Sequence, residues 1–203
     1  PGENDYYGES VAINNQYAIV GAPREGFIGA VYVYSKNGTN WDIHAKLTRT
    51  TFAVGFGENV SINETDNTLV VTVADFSTSG RVSIFTVSGD SWSLQTEITD
   101  FDFGVQSCSI CEEMIVLGGP ASPFGTGGSV QVYTRSESTW SLQATLAKTS
   151  SVSGDDYGIS VSLSGEYLAI GTPGDDKTGY TNSGSIYVWK KTDTTWEEQA
   201  KLT

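Results

Sequence analysis

Basic residues, histidine, cysteine and long apolar runs are all scarce in this sequence of 203 residues. Against 24 acidic residues there are only 11 lysines and arginines, so the formal net charge is −13. Nucleic acids and anionic membrane surfaces are bound through basic patches, and the charge balance therefore argues against both as partners. No apolar run approaches the ~18 residues of a membrane-spanning helix, so no membrane insertion is expected.

With one histidine and two cysteines, the chain has few residues for covalent or zinc chemistry. A Ser–His–Asp triad and a zinc site need partner residues that the sequence does not supply. Cys108 and Cys111 have CxxC spacing, but no thioredoxin-like βαβ pattern surrounds them. They are expected to be buried free thiols or a local disulfide, and the disulfide requires a bend that brings the Cα atoms within ~7 Å.

What the sequence does contain is a repeat of about 50 residues that occurs four times. Each copy predicts four short strands, and the fourth begins at a tryptophan. The tryptophans are Trp41, Trp92, Trp140 and Trp196. Val, Ile, Tyr and Thr dominate the strands, and no segment has helical periodicity. We predict an all-β fold of four repeats, each with four antiparallel strands, in a single domain with repeat boundaries 1–49, 50–99, 100–147 and 148–203.

Four-stranded units of this length are typical of β-propeller blades. A β-sandwich is the alternative, but a sandwich does not require a sequence period. The four blades could close as a four-bladed propeller, or they could be part of a larger or assembled ring. The repeat pattern at the two ends favours a piece of a longer array.

The motifs inside the repeats resemble those of the FG-GAP repeat family, the β-propeller repeat of integrin α subunits and many secreted proteins. Phe56–Gly57 and Phe103–Gly104 supply the FG, and Tyr7–Gly8 and Tyr157–Gly158 are aromatic variants of it. Gly21–Ala22–Pro23 is a complete GAP. The resemblance implies a β-propeller in a secreted protein. The calcium loop of integrin-type repeats is missing between the first and second strands, so no such loop is expected.

A different set of acidic residues is a candidate for calcium binding. The candidates are Asp155, Asp156, Asp175 and Asp176. Four neighbouring carboxylates could supply the oxygen ligands that calcium prefers. The alternative is that they are solvated turn residues, which aspartate often is because its side chain bonds to nearby backbone groups. Apart from this possible calcium site, no cofactor is expected.

Four aromatic residues outside the repeat positions are candidates for ligand contact. They lie in the loops between the second and third strands: Phe27, Phe76, Phe124 and Tyr180. The alternative is packing within the loops. These loops and the linkers between repeats vary in length, and function is usually carried by variable loops on a rigid scaffold. The variable-loop face is therefore the expected contact surface for a protein or glycan ligand.

Three N-x-S/T sequons start at Asn37, Asn59 and Asn63. Asn37 is expected at a tight Asn–Gly hairpin turn and Asn63 in a longer turn, both accessible to glycosylation. Asn59 is expected inside a strand. The sequons and the resemblance both favour an extracellular or cell-surface protein.

The sequence thus predicts a secreted, non-catalytic propeller module for adhesion, ligand binding or extracellular structural assembly. Assembly could involve further blades or further copies of the chain. The alternative is a glycosidase-like propeller hydrolase that uses two loop carboxylates, because 24 acidic residues offer many possible pairs.

Overall fold

The computed structural model describes residues 1–49, 54–73, 80–99, 101, 104–119, 127–148, 152 and 154–203. Strands dominate these ranges, and the helical structure described there is one 3₁₀ turn at Glu25–Phe27. None of the described residues form a helix long and apolar enough to cross a membrane. The chain divides into two compact units, Pro1–Phe101 and Asp102–Thr203.

The first unit contains two antiparallel sheets, and in each sheet the four strands lie side by side in chain order. Blade 1 consists of β1 (Val11–Ile13), β2 (Tyr17–Ala22), β3 (Ala30–Asn37) and β4 (Asn40–Leu47). Blade 2 consists of β5 (Phe56–Ile62), β6 (Leu69–Val73), β7 (Arg81–Ser88) and β8 (Ser91–Ile98).

The second unit repeats this arrangement. Blade 3 consists of β9 (Ser107–Cys111), β10 (Met114–Gly119), β11 (Ser129–Ser136) and β12 (Thr139–Leu146). Blade 4 consists of β13 (Ser160–Ser164), β14 (Tyr167–Thr172), β15 (Ser185–Thr192) and β16 (Thr195–Leu202). The prediction of an all-β fold with four antiparallel four-stranded sheets is confirmed. The assignment of the whole chain to one domain stays a prediction.

The hairpin between the third and fourth strands has the same form in all four blades. Its turn has two residues, and the first of them has a positive φ in each case: Gly38, Gly89, Glu137 and Asp193. Two-residue hairpins need this left-handed backbone to match the twist of the strands. In blade 1 the turn is Gly38–Thr39, because Asn37 pairs with Asn40 as the last residue of β3. The prediction that Asn37 itself stands in the turn is therefore wrong by one position.

The core of each unit lies between its two blades. In the first unit, Ile19 and Val31 of blade 1 pack with Phe56 and Leu69 of blade 2, and all four are fully buried. In the second unit, Tyr157 and Leu168 of blade 4 belong to one cluster with side chains of blade 3. Burial of apolar surface stabilises such packing by roughly 25 cal/mol per Å². The apolar side chains of the strands thus hold neighbouring blades together.

Two glycines of the repeat form a close backbone contact between the blades of the first unit. A Cβ atom on Gly21 in β2 would lie 2.1 Å from the carbonyl oxygen of Gly57 in β5. Gly57 has a φ of +96°, a conformation that glycine adopts without steric cost. The Ser10 hydroxyl donates to the same carbonyl oxygen over 2.8 Å.

The second unit has the same contact at equivalent positions. A Cβ atom on Gly118 would lie 2.2 Å from the carbonyl oxygen of Gly158, whose φ is +90°. The Ser107 hydroxyl donates to that oxygen over 2.8 Å. We call this contact the aromatic–glycine junction, because the glycine at its centre follows Phe56 or Tyr157 in the sequence. Glycine is required on both sides of the junction because the backbones touch.

Candidate binding surface

The loops between the second and third strands of blades 1 and 4 each present one large exposed aromatic side chain. Phe27 is 83% exposed and ends the 3₁₀ turn between β2 and β3. Tyr180 is 69% exposed and lies between β14 and β15. Phe76 and Phe124, the other two aromatic candidates, lie outside the described residues. Neither Phe27 nor Tyr180 is buried inside its loop, as the packing alternative would require, and their contact with a ligand stays a prediction.

Phe27 is held in a left-handed backbone conformation with a φ of 70°. This is uncommon for a residue other than glycine, and it persists only where the surrounding structure imposes it. Two backbone hydrogen bonds close the turn around it: Gly29 donates to Glu25 over 2.8 Å, and Phe27 donates to Arg24 over 3.4 Å. The left-handed conformation of Phe27 costs conformational energy, and it leaves the apolar ring exposed to solvent.

A largely buried carboxylate anchors the Phe27 loop to blade 1. The Tyr32 hydroxyl donates to the Glu25 carboxylate over 2.9 Å, and the Lys46 ammonium pairs with the same group. Burial alone would raise the pKa of Glu25, but the hydrogen bonds from Lys46 and Tyr32 outweigh it and lower the pKa. Glu25 is thus ionised at neutral pH and fixes the start of the loop to β3 and β4.

Blade 4 anchors its loop in the same way at Asp175, with one more cation. The Tyr187 hydroxyl donates to one carboxylate oxygen of Asp175 over 3.0 Å, and the Lys201 ammonium lies 2.6 Å from that oxygen. Lys148, which precedes blade 4, pairs with the other oxygen and also lies 2.8 Å from Asp155. We call these five residues the acid clamp of blade 4.

The acid clamp shifts the pKa values of its members strongly. Burial would raise the pKa of Asp175, but the hydrogen bonds from Lys148 and Lys201 dominate and hold it far below its usual range. For Lys148, burial would lower the pKa, and the hydrogen bonds from Asp155 and Asp175 raise it instead. Both groups are therefore charged at neutral pH.

The four aspartates predicted as a calcium site do not meet at one point. Asp155 and Asp175 are buried, and both form ion pairs with Lys148. Asp176 is exposed and accepts a hydrogen bond from the Asn182 backbone over 2.7 Å. In the part of the chain that the structure describes, no group of three or more His, Cys, Asp or Glu residues could hold a metal ion. The Lys148 ammonium supplies the positive charge that balances the carboxylates of Asp155 and Asp175. Calcium binding by all four stays a prediction that would require the lysines to move away.

The Tyr180 loop is ordered by its own backbone hydrogen bonds. Lys177 and Tyr180 exchange a pair of them, at 2.9 and 2.7 Å, so the segment forms a small hairpin with Gly179 at a φ of +85°. At the base of the loop, Gly184 donates to the Asp175 carbonyl over 2.9 Å. The acid clamp and this hairpin together hold the Tyr180 side chain outward.

The anchors of blades 1 and 4 occupy equivalent positions in the repeat, and sequence reasoning missed both. The acid lies two residues after proline, the tyrosine at the third position of the Ala30 or Ser185 strand, and the lysine before the final leucine. An acid, a hydroxyl and a base in fixed register were visible in the aligned repeats. What could not be seen is that the three side chains meet, because they belong to three different chain segments.

Blade 2 has a related contact with the charges exchanged. Glu97 occupies the position of Lys46, and Arg49 lies 2.7 Å from its carboxylate. Arg49 precedes blade 2 as Lys148 precedes blade 4, and it also donates to the Ser83 hydroxyl over 3.1 Å. A basic residue between the two blades of each unit therefore ties the linker to the following blade.

The sequons have unequal surroundings. Asn37 is exposed at the end of β3, and its amide donates to Asp42 over 2.9 Å. Asn63 is only 1% exposed, and its amide donates to Asp66 over 2.7 Å. The prediction that Asn63 is accessible is therefore wrong, because a glycan on its side-chain amide nitrogen would have to occupy the interior.

Asn59 is half-buried in β5, within a strand as expected. Glycosylation of Asn37 stays a prediction.

Both cysteines are free thiols. They lie in one strand, β9, where they pair with Leu117 and Met114 of β10. An extended strand rises about 3.3 Å per residue, so Cα atoms three residues apart stand too far apart for a disulfide. The possible Cys108–Cys111 disulfide is therefore not formed. Burial raises the pKa of the Cys108 thiol to about 12, so it carries no reactive thiolate at neutral pH.

Among the described residues, one carboxyl group has a raised pKa, which is the direction that a general acid requires. Burial and the neighbouring Glu9 carboxylate raise the pKa of Glu58, and Arg24 partly offsets this shift. Glu58 lies in β5, directly after Gly57 of the aromatic–glycine junction, and Glu9 is exposed. This pair is the observation that keeps the hydrolase alternative open.

Comparisons with known proteins bear on the repeat and on the fold. A sequence model of the FG-GAP repeat matches residues 1–34 and 140–189. Comparison with curated proteins gives no significant match. Among solved structures, the chain is similar to the β-propeller in the crystal structure of Sqt1 from Saccharomyces cerevisiae, with a TM-score of 0.59 and 16% identity. The alignment covers 98% of this chain and 49% of that chain, so this chain spans about half the length of Sqt1.

At this level of identity the likeness to Sqt1 concerns the fold alone. The repeat match covers the segments that contain Tyr7–Gly8, Gly21–Ala22–Pro23 and Tyr157–Gly158. In the structure, Gly21 and Gly158 of these motifs stand in the aromatic–glycine junctions between blades. The chain therefore has a β-propeller fold, and two stretches of its sequence match the FG-GAP repeat.

Proposed function

We propose that this chain is a non-catalytic, protein-binding β-propeller module that works outside the cell or at the cell surface. The observation that carries the proposal is the pair of exposed aromatic side chains, Phe27 and Tyr180, each on a loop with a charged anchor at its base. Large aromatic residues dominate the binding energy of protein interfaces. A rigid loop also loses less conformational entropy when it binds.

The negative net charge of the chain favours a partner that is not itself strongly acidic. The net charge of −13 disfavours acidic partners, and electrostatic complementarity raises the association rate with basic ones. Since the buried acids of blades 1 and 4 already hold lysines, the attraction would come from the remaining exposed carboxylates, such as Asp176. A basic protein surface around an apolar pocket fits this combination.

The extracellular part of the proposal is supported by the FG-GAP resemblance and by Asn37. This sequon lies at an exposed hairpin. Peptide mass spectrometry of protein from its native source tests this part. A glycan at Asn37 supports a eukaryotic secretory origin, and unmodified Asn37 counts against it.

The binding part is tested with two paired variants and the secreted protein fraction of the source cells, immobilised on a sensor. We expect Phe27→Ala combined with Tyr180→Ala to weaken binding at least about 30-fold, because truncation of an aromatic anchor costs about 2 kcal/mol or more. The matched control is Ile43→Ala combined with Leu94→Ala, two exposed side chains on the fourth strands of blades 1 and 2. Equal binding by the loop variant and the parent would contradict the proposal.

The second candidate is a glycosidase-like hydrolase, and the raised pKa of Glu58 favours it. A panel of chromogenic glycosides separates the two functions. Turnover that is lost in Glu58→Gln would establish the hydrolase, and absence of turnover across the panel is the result expected from a binding module.

A further inference from the structure

Two adjacent pockets lie at one end of the first unit, where β1 joins β2 and β5 joins β6. Asn15 and Gln16, in the turn between β1 and β2, line both pockets. The larger pocket has a volume of about 430 Å³ and is also lined by Tyr17 and Lys36. The smaller one, of about 260 Å³, reaches across to Asn67 in the turn between β5 and β6. We call the two together the amide pocket.

A network of side-chain amides joins the two turns behind this pocket. Asn14 is only 7% exposed, and its side-chain oxygen accepts from the backbone N–H groups of Gln16 and Tyr17 over 2.9 and 2.8 Å. Its side-chain nitrogen donates to the Asn63 carbonyl oxygen over 2.9 Å and to the Asn67 side-chain oxygen over 2.8 Å. Asn14 thus makes four hydrogen bonds, which is the full capacity of its amide group.

The network also fixes the amides that line the pocket. Asn67 donates to the side-chain oxygen of Gln16 over 2.8 Å, so lining side chains of blades 1 and 2 are joined directly. Gln16 is exposed, and among the described residues its side-chain nitrogen has no acceptor, so it can donate to a ligand. A site whose polar groups are already in position loses less conformational entropy when it binds.

The blade fold does not require an amide at the centre of such a network. In the second unit, Cys111 holds the position of Asn14, and its sulfur accepts one hydrogen bond from the Gly165 backbone over 3.4 Å. One sulfur contact therefore suffices to join the equivalent turns of blades 3 and 4. The four bonds of Asn14 are an addition in the first unit, and function is usually carried by additions to a shared scaffold.

The charges beside the turn differ between the units as well. The Lys36 backbone donates to the Gln16 carbonyl, and the Arg135 backbone donates to the Glu113 carbonyl at the same place in blade 3. The side chains of Arg135 and Glu113 form an ion pair, with 2.5 Å between Nε and Oε2. Gln16 stands where this acid would be in blade 1. The larger pocket therefore offers an ammonium group and amides where blade 3 has a closed ion pair.

We propose that the amide pocket binds a neutral oligosaccharide. An amide side chain both donates and accepts hydrogen bonds, and so do the neighbouring hydroxyl groups of a sugar. Apolar ligands fit poorly, because their sites are lined mainly by hydrophobic side chains. Lys36 alone would attract an acidic ligand, but Glu64 in the smaller pocket and the net charge of −13 oppose one. Two pockets that share Asn15 and Gln16 suit two successive sugar units.

The proposal goes beyond the proposed function, because the two surfaces lie at opposite ends of β2. Asn15 and Gln16 precede this strand of six residues, and the Phe27 loop follows it. Such a strand is roughly 20 Å long. Phe27→Ala combined with Tyr180→Ala is therefore expected to bind the sugar as the parent does, so failure of one site is distinguishable from failure of the other.

The first test is an array of printed neutral and acidic oligosaccharides, probed with the fluorescently labelled chain. The expected result is binding to a subset of the neutral oligosaccharides, which the same oligosaccharide in solution abolishes. Absence of binding to every neutral oligosaccharide would overturn the proposal. Binding to acidic oligosaccharides alone would overturn it too.

Calorimetric titration with the neutral oligosaccharide that gives the strongest array signal locates the contact. Asn15→Ala combined with Gln16→Ala is expected to weaken binding at least about tenfold, the effect of losing two ordinary hydrogen bonds. Gln199→Ala is the matched control, because this exposed amide lies on β16 of blade 4, and its affinity is expected to equal that of the parent. Equal affinities of the pocket variant and the parent would overturn the proposal.

Asn14→Cys tests the support of the lining amides with the residue that the second unit already uses. Weaker binding with an unchanged circular dichroism spectrum is expected, because Gln16 and Asn67 lose their common partner. Unchanged affinity would overturn this supporting role. In the parent chain, the side-chain amide signals of Asn15, Gln16 and Asn67 in ¹H–¹⁵N spectra are expected to shift when the sugar is added. Shifts confined to other residues would overturn the proposed site.

Discussion

Asp175 illustrates how a single buried side chain determines the conformation of a surface loop. Its carboxylate holds Lys148, Lys201 and Tyr187, and its carbonyl oxygen accepts the hydrogen bond that closes the loop at Gly184. A buried carboxylate is stable only when it is paired and hydrogen-bonded. In this clamp the pairing also links three segments of the chain, so the loop that carries Tyr180 depends on it.

Asp175→Asn is expected to destabilise the second unit by about 3 kcal/mol, because it leaves the largely buried Lys148 ammonium with one carboxylate partner in place of two. The measurement is urea unfolding at neutral pH. Asp176→Asn is the matched control, since the neighbouring acid is exposed and the asparagine oxygen can still accept from Asn182. The control is expected to change stability by less than about 0.5 kcal/mol. Equal effects of the two variants would contradict the clamp.

The pH dependence of this difference follows from the direction of the pKa shift. The hydrogen bonds from Lys148 and Lys201 outweigh burial and lower the folded-state pKa of Asp175 below the unfolded value of about 3.9. Its contribution to stability is therefore complete above about pH 4 and is lost as the pH falls through the folded-state pKa. The unfolding free energies of the parent and of Asp175→Asn should converge under acid conditions. A constant difference down to acid pH would contradict this assignment.

At the scale of strands and turns, the repeat motifs have a direct steric explanation. The aromatic–glycine pair of one blade lies against the glycine of the previous blade, and the backbones touch there. The aromatic ring fills the core between the blades, as Phe56 and Tyr157 do. The motif thus describes one contact between two blades, and its two halves lie in different repeats.

Gly158→Ala is expected to be clearly more destabilising than Gly154→Ala. The two glycines have φ values of +90° and +94°, so an alanine is strained by about 1–2 kcal/mol at either position. A Cβ atom on Gly158 would also lie 2.9 Å from the Ser129 carbonyl oxygen, whereas one on Gly154 meets nothing within 4 Å. The junction therefore adds about 1–3 kcal/mol of overpacking to the Gly158 variant. Thermal unfolding of both variants measures the difference in stability. Equal losses of stability in the two variants would show that the backbones are not closely packed at the junction.

The strands were predictable from sequence because their information is local. Alternating apolar residues and a polar turn before each tryptophan predicted the strands of all four sheets. Examples are β7 and β8, the second of which contains Trp92. The exposure of Phe27 and Tyr180 was also compatible with the predicted loops. The acid clamp, the burial of Asn63 and the separation of the four aspartates were not predictable, since each depends on contacts between distant segments. Asn63, for example, also accepts a hydrogen bond at its carbonyl from Asn14 of blade 1.

For the whole molecule, the loops at Phe27 and Tyr180 carry the proposed protein contact. The hydrogen bonds from lysines outweigh burial and lower the pKa values of Glu25 and Asp175 at the loop bases. This arrangement suits a binding module, in which the scaffold keeps a few surface side chains in position.

Site-specific photocrosslinking identifies which loops contact a protein partner. A benzophenone amino acid replaces Phe27, Tyr180 or, as the control, Ile43, which is 66% exposed on β4. Each protein is irradiated with the secreted protein fraction of the source cells and examined for covalent protein adducts. If the loops bind a protein, adducts form at positions 27 and 180 and position 43 gives only background. Adducts of equal yield at all three positions, or none at 27 and 180, would contradict the proposed contact.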